Sequence, residues 1–596
     1  MNTIRSKRHE FKYASLALAA VLAACGGGGS DTPSSDPGTG VTPPVVTPAA
    51  LTLSGVAATG AAIGGKTVEA KCATGTGSAT SNADGSYTIS VTSGALPCML
   101  KVTPASGPAL YSLATGSGST ATANISPVTQ LVIANLTGTD PDAYFTGFDA
   151  TAAASVTTTK VGDAVAAVKS TLLAAGVDLG TIDVLAGTLT PATSTTTGNA
   201  YDQALDALAA KLATAGTTLA ALTTTVVATS PAAPVTVTTA AANTASLPAE
   251  LLLKPAAATC SALRSATYRV LMPTPNSTLA DQYGTMTINA ATLAVVYADG
   301  SPSTWVAHAT EACRFTDETA KSDIVVSQAG VIVGRSYESI SDTDHAFRPI
   351  IAFPEQTHTM ADVSGTWNVI GLNANDATPT AYFGGTATAT VDATGVFSAI
   401  SNCGNEATWD VATCATPTGL QSTRVLNAAG GFDVVEKDPA NYVSGRGFVY
   451  RAGGGALMRV EVYDRGDFTV WTQLRKNDLP AVDRVSTTWD LRISNLMLAT
   501  PALLESTNTV KTVDTTAGSF VRLAKTVGGT DDHLETVLVN SPRDGFNFRA
   551  AATVTGTDGT TVVSVTEWTN LALRGMGLNA LTRPAQKQFM FSVQQP

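Results

Sequence analysis

YGTMTINAATLAVVYADGSPSTW, residues 283–305, lines up with GGTATATVDATGVFSAISNCGNEATW, residues 384–409. Both alternate apolar and polar residues, turn at an Asp- and Gly-containing stretch and resume alternation before a Trp, the pattern of antiparallel strands. Each continues to a cysteine, Cys313 or Cys414, and then to a similar turn and strand, SQAGVIVGR (327–335) or NAAGGFDVVE (427–436). Upstream, ATYRVLM (266–272), GTWNVIGL (365–372) and TTWDLRIS (487–494) read as one opening strand written three times. The third copy lacks the cysteine, and its counterpart turn is NSPRDGFNFR (540–549). Self-similarity of this kind marks a repeated supersecondary unit. We therefore expect three antiparallel β-units over 260–361, 362–484 and 485–596, as barrels or sandwiches or as parts of one larger sheet.

Working outward, Leu51 to about residue 122 also alternates, in TVEAKC and SYTISV, with NADG supplying a turn. The pattern predicts a small β-sandwich. Ser54, Gly55, Val56, Gly64, Gly65 and Val68, followed by Ala83-Asp84-Gly85-Ser86-Tyr87, resemble the carboxypeptidase regulatory-like, transthyretin-like modules of bacterial surface proteins. That resemblance implies a structural or spacer module. GAAIGGKT (60–67) within it fits the phosphate-loop pattern GxxxxGK[ST]. A phosphate loop must follow a buried strand and open a helix. Here Thr67 leads into a strand pattern, so no nucleotide partner is expected.

Residues 123–259 carry helical signals. Ser126 and Pro127 start a short helix that Gly138 stops. Val161, Val165, Val168 and Leu172 form one apolar stripe, and Tyr201, Leu205, Leu208 and Leu212, capped by Asn199, form another. The Thr-rich text between and after them, including 223–248, reads as connectors. Asp140, Asp142 and Asp149 match no EF-hand spacing and read as a solvated loop. The fold class expected is mainly β with a helical middle.

The first 24 residues combine Arg5, Lys7, Arg8 and Lys12 with the apolar run Ala14–Ala24, too short to span a bilayer, and read as an export signal. Leu22-Ala23-Ala24-Cys25 resembles the bacterial lipobox, which implies cleavage before Cys25 and a lipid on its thiol. Gly26, where lipoprotein sorting would read an Asp as inner-membrane retention, implies the outer membrane, on its periplasmic or extracellular face. Residues 25–50 are a Gly/Pro/Thr-rich tether. Cys72, Cys98, Cys260, Cys313, Cys403 and Cys414 remain, an even set in an oxidising compartment. Pairing of neighbours is the simplest of the 15 possible connectivities. The net charge of −11 argues against nucleic acid, and no cofactor or metal site is expected.

Chemistry-bearing candidates are few. SDTDH (341–345) and GTDDH (529–533) set Asp344 beside His345 and Asp532 beside His533, an orienter and base without an evident nucleophile. In 441–473, Tyr450 and Trp471 interleave with Arg446 and Arg451, a pattern suited to a glycan or acidic polymer, or else an amphipathic sheet with aromatics inward and arginines in water. Asp362-Val363-Ser364-Gly365-Thr366-Trp367 resembles the Gly-x-Trp opening of lipocalin-like barrels. Trp367 there is expected to plug one barrel end, its indole N–H meeting a free carbonyl. The functional expectation is a non-enzymatic surface lipoprotein that binds a small ligand, glycan or protein. The alternatives are an exported hydrolase acting through His345 or His533, and a purely structural envelope protein.

Overall fold

The computed structural model describes residues 50–230, 245–273, 278–317, 322–341, 344–374, 382–403, 414–415, 422–437, 441–464, 466–494, 503–526, 532–583 and 586–596. Cys25 and the lipobox lie outside them. The chain is mainly β with a helical middle.

Strands Leu51–Val56, Ser86–Val91 and Thr120–Thr122 form one sheet of the N-terminal sandwich. Thr67–Thr74, Thr76–Thr80, Ala95–Val102 and Leu110–Ala114 form the other. Tyr87, Ile89 and Val91 point inward from alternate positions and meet Leu53, Val68 and Leu100 in one core. GAAIGGKT is the turn into Thr67–Thr74. Gly65 has φ +67°, and a Cβ on Gly64 would lie 2.9 Å from the backbone of Ala83, so both glycines serve a tight turn. Cys72 and Cys98 are cross-strand neighbours joined by a disulfide.

In the helical middle, Pro127–Thr137 starts on Ser126, whose side chain accepts from the Thr129 N–H, and stops at Gly138 with φ 58°. Thr158–Ala174 and Ala200–Thr214 bury the two predicted stripes. Two expectations change. Asp140 and Asp149 are N-caps of the short helices Pro141–Thr146 and Ala150–Ser155, not residues of a solvated loop. The Thr-rich text contains the helix Leu219–Thr229. Thr223, Thr224 and Thr225 each return a hydroxyl to the carbonyl four residues back, and Leu222 and Val226 are buried, so packing outweighs low propensity.

The repeat signals mark a set of barrels. Ala266–Leu271 opens a closed barrel of eight strands that ends with Asp344–Pro354. Val485–Ser494 opens another, ending with Gln588–Gln594, with the hairpin Ala552–Thr555/Val562–Val565 inserted beside it. Between them Gly365–Ala374 opens a nine-stranded sheet whose flanks meet at an isolated bridge, Val396 with Thr423. The turns align differently from the sequence match. SQAGV leads into the last two strands of the first barrel, Ile332–Ser341 and Asp344–Pro354. Its counterparts in position are 452–456 and 574–577, not NAAGG or NSPRDG, which fall two strands earlier. These three hairpins converge on 245–247. A Cβ on Gly330 would lie 2.9 Å from Leu247, and one on Gly575 2.7 Å from Ala456.

Outward faces of all three units join in one buried cluster, which also takes in the interior of the first barrel. Phe353 of the first meets Tyr450 of the central sheet at 5.7 Å, Phe468 meets Phe589 of the third at 5.0 Å, and the Trp489 indole donates to Glu311 at 2.8 Å. This reverses the usual polarity of an antiparallel sheet's outer face. It also releases the interior of each barrel to differ.

Candidate functional site: a polar lumen in the third barrel

In the first barrel the described interior is occupied by large side chains. Tyr268 opposes Met286, Ile288 opposes Val295, Phe315 opposes Ile324, and Trp305 packs among them, all buried. Inside the central sheet Trp367 is fully buried, and its indole donates to the Val363 carbonyl at 3.1 Å. Arg459 lies 3.6 Å over the Trp471 ring, and Arg424 and Arg459 each approach Glu461 at 3.1 Å. Burial works against the Glu461 carboxylate, yet the two arginines hold it below its ordinary range. Burial pulls the Arg459 guanidinium down to about 9 despite Glu461.

The third barrel is built otherwise. In Val485–Ser494, Trp489, Leu491 and Ile493 face the shared core, so Thr488, Asp490 and Arg492 face the lumen. The same parity places Asn570 inward against Leu571 outward, and Asn579 inward against Ala580 outward. The result is two hollows, about 340 Å³ and about 220 Å³, which share Ser486, Asn508, Arg522, Trp568, Asn570 and Asn579. The larger falls within the ~300–1,000 Å³ of small-molecule sites, but its lining is polar where such sites are mostly apolar.

Its electrostatics are cationic. Arg492, Arg522, Lys525, Arg549 and Arg583 line the larger hollow, against the carboxylates of Asp490 and Glu535. Lys525 is tied to Asp532 at 2.6 Å. Glu535 is gripped by Arg522 at 2.5 Å and by Arg549, with His533 at 3.5 Å. Burial alone would raise the Glu535 carboxyl, but Arg522, His533 and Arg549 hold it far below the usual carboxylate range. Asp490 accepts from Ser592 at 2.7 Å, Ser506 at 2.8 Å and Thr488 at 3.1 Å. The buried Nε groups of Arg492 and Arg583 have no hydrogen-bond partner among the described residues.

The candidates singled out from the sequence fall in several places. His533 lies at the third lumen, and Asp532 adjoins it through Lys525. Asp344 and His345 pair by backbone with Ser341 and Ser339, and their side chains lie outside the described residues. Arg446 joins Asp433 at 2.7 Å and stacks on Tyr283 of the first barrel. Tyr450 is fully buried and donates to the Ala329 carbonyl. Arg451 pairs with Asp362, while Trp471 is buried under Arg459. Arg446 and Tyr450 therefore reach the first barrel, Trp471 lies in the interior of the central sheet, and Arg451 stays half exposed on an ion pair within its own unit. The expected split into inward aromatics and solvated arginines fails for Arg459, which is fully buried because the sheet curls around it. Cys260 and Cys313 form a disulfide. Cys403 and Cys414 are backbone partners on adjacent strands, with side chains outside the described residues. The residues missed were Asp490, Arg492, Glu535, Arg549 and Arg583. Alternation in TTWDLRIS and HLETVLV contains the first three, Arg549 and Arg583 end FNFR and LNALTR, and nothing in these strands says which face is enclosed.

Among the described residues no His, Cys, Asp and Glu grouping is placed to hold a metal ion, and no single helix is long and apolar enough to cross a membrane. No family model matches the chain. No curated protein matches it significantly. Among solved structures, the crystal structure of isotype 1 transferrin binding protein B from serogroup B Neisseria meningitidis is similar over 53% of this chain and 63% of that one, at 8% identity and a TM-score of 0.17. The chain thus spans less than two thirds of that protein, and a likeness this distant carries no argument about fold or function.

Proposed function

We propose that this chain is a lipid-anchored envelope protein, held at the outer membrane through Cys25, which binds a small hydrophilic ligand in the lumen of its third barrel. Residues 1–24 are the signal, 25–50 the tether, 51–122 the sandwich spacer and 123–259 the helical support on which the β-units 260–361, 362–484 and 485–596 stand. One observation carries the binding reading: three units share an outer core, the described interiors of two carry buried aromatic, aliphatic or ion-paired side chains, and the third holds a hollow of about 340 Å³ lined largely by charged and amide side chains. Burying unpartnered polar groups is costly, so such a lining suits a ligand that satisfies them. The anchor reading rests on the lipobox. Cys25→Ser should release the protein from membranes, and membrane retention of that variant would refute it. For the lumen, a thermal-shift screen of sugars, sugar acids, amino acids and nucleosides against the full chain should yield stabilising hits. Each hit should disappear in Asn579→Trp, which fills the hollow. Hits that survive Asn579→Trp would place binding elsewhere.

A further inference from the structure

We infer that the wider part of this lumen is an oxyanion site, in which Arg492 and Arg583 take a carboxylate or phosphate carried on a hydroxylated small molecule. This rests on the lumen being the ligand cavity. The two arginines project from Val485–Ser494 and Leu578–Arg583, the strands that flank the closing strand Gln588–Gln594 on either side. Both line the hollow, and each keeps a buried Nε–H without an acceptor among the described residues, while an Nη of Arg583 donates to Gln586 at 3.5 Å. The lumen's own carboxylates are committed elsewhere. Glu535 serves Arg522 and Arg549, and Asp490 is occupied by three hydroxyls. Burial, with Arg492 and Arg549 close by, pulls the Arg583 guanidinium down to about 10, although Asp490 and Glu535 partly offset them. An incoming anion relieves that like-charge crowding and supplies the missing acceptors. Guanidinium pairs favour planar or tetrahedral oxyanions over a bare hydroxyl.

A hydroxylated body follows from the other lining groups. Ser486, Asn508 and Asn579 line both the cationic part and the second hollow, and Asn570 keeps a buried Oδ1 without a donor among the described residues. That acceptor fits a ligand hydroxyl. Trp568, which lies under Arg522 and Arg549, lines both parts.

Isothermal titration calorimetry of the full chain with glucuronate, glucose 6-phosphate and glucose tests this. At least one of the two acids should bind, with glucose weaker by roughly tenfold or more, as expected for loss of charge-assisted hydrogen bonds. Which acid binds tells a carboxylate site from a phosphate site. Arg492→Gln and Arg583→Gln should each weaken the acid by about tenfold while leaving the melting temperature equal or higher, because each removes a crowded charge. A merely structural arginine would lower the melting temperature instead, and that outcome overturns the assignment. Failure of both acids to bind also overturns it. Glucose binding as tight as the acids, insensitive to both Gln variants but lost in Asn579→Trp, overturns the oxyanion assignment and leaves the lumen reading standing. Acid binding that persists in Asn579→Trp overturns both.

Discussion

Glu535 sets the charge balance of the third lumen. It is 4% exposed, and its carboxylate is shared by Arg522, Arg549 and His533. Removing one partner of a buried ion pair leaves the other charges uncompensated, at a cost of about 3–5 kcal/mol. Glu535→Gln should therefore lower the denaturant-unfolding free energy by that order. The carboxyl is depressed in the fold, so its contribution is complete above its unfolded pKa of about 4.3 and is lost as pH falls through the lower folded value. The gap between wild type and Glu535→Gln, measured against pH, should narrow as pH falls below about 4. Trp367 offers a contrast. Its burial and its bonded indole were readable from GTW, because a large aromatic opening an alternating strand goes inside. Glu535 was not readable. Charged residues in strands ordinarily face water, and only closure of the barrel turns that face into an interior.

At the scale of elements, the strands and caps were legible and the pairing of repeats was not. Alternation and turn residues located the opening strands, and Ser126, Pro127 and Gly138 bounded a helix correctly. Leu219–Thr229 was missed because its stability comes from packing of Leu222 and Val226 and from hydroxyl back-bonds. SQAGV was matched to the wrong hairpin because Gly-rich turns look alike when stripped of their position in the barrel. Position matters physically, since the three hairpins that lead into the last two strands meet around 245–247. Gly577 has φ +69°, and a Cβ there would lie 3.2 Å from Ala245. Gly577→Val should cost roughly 1–3 kcal/mol from backbone strain alone. Gly454→Ala, with open space around it, should stay within about 0.5 kcal/mol in the same unfolding assay. Reducing or replacing Cys260–Cys313, which closes a 53-residue separation, should cost about 2–5 kcal/mol.

Across the whole molecule, the three units are held by their outsides. Trp489, Phe589 and Phe591 of the third barrel are buried only because Glu311 and Phe468 of its neighbours cover them. Fragment 485–596 alone would expose that apolar face, so it should aggregate or bind a hydrophobic dye where 245–596 does not, as gel filtration would show. With stability placed outside, the lumen is free to carry polar groups that a conventional barrel core would exclude. The sequence announced three copies and the divergence of the third. It could not announce a hollow, which depends on how eight strands close and which parity turns inward. The most direct measurement is an X-ray structure of the full chain soaked in bromide and recorded at the bromine edge. A bromide is expected within hydrogen-bond reach of Arg492 and Arg583 inside the third barrel, as the oxyanion assignment requires. Bromide bound elsewhere on the protein, with this lumen collapsed or holding none, would contradict it.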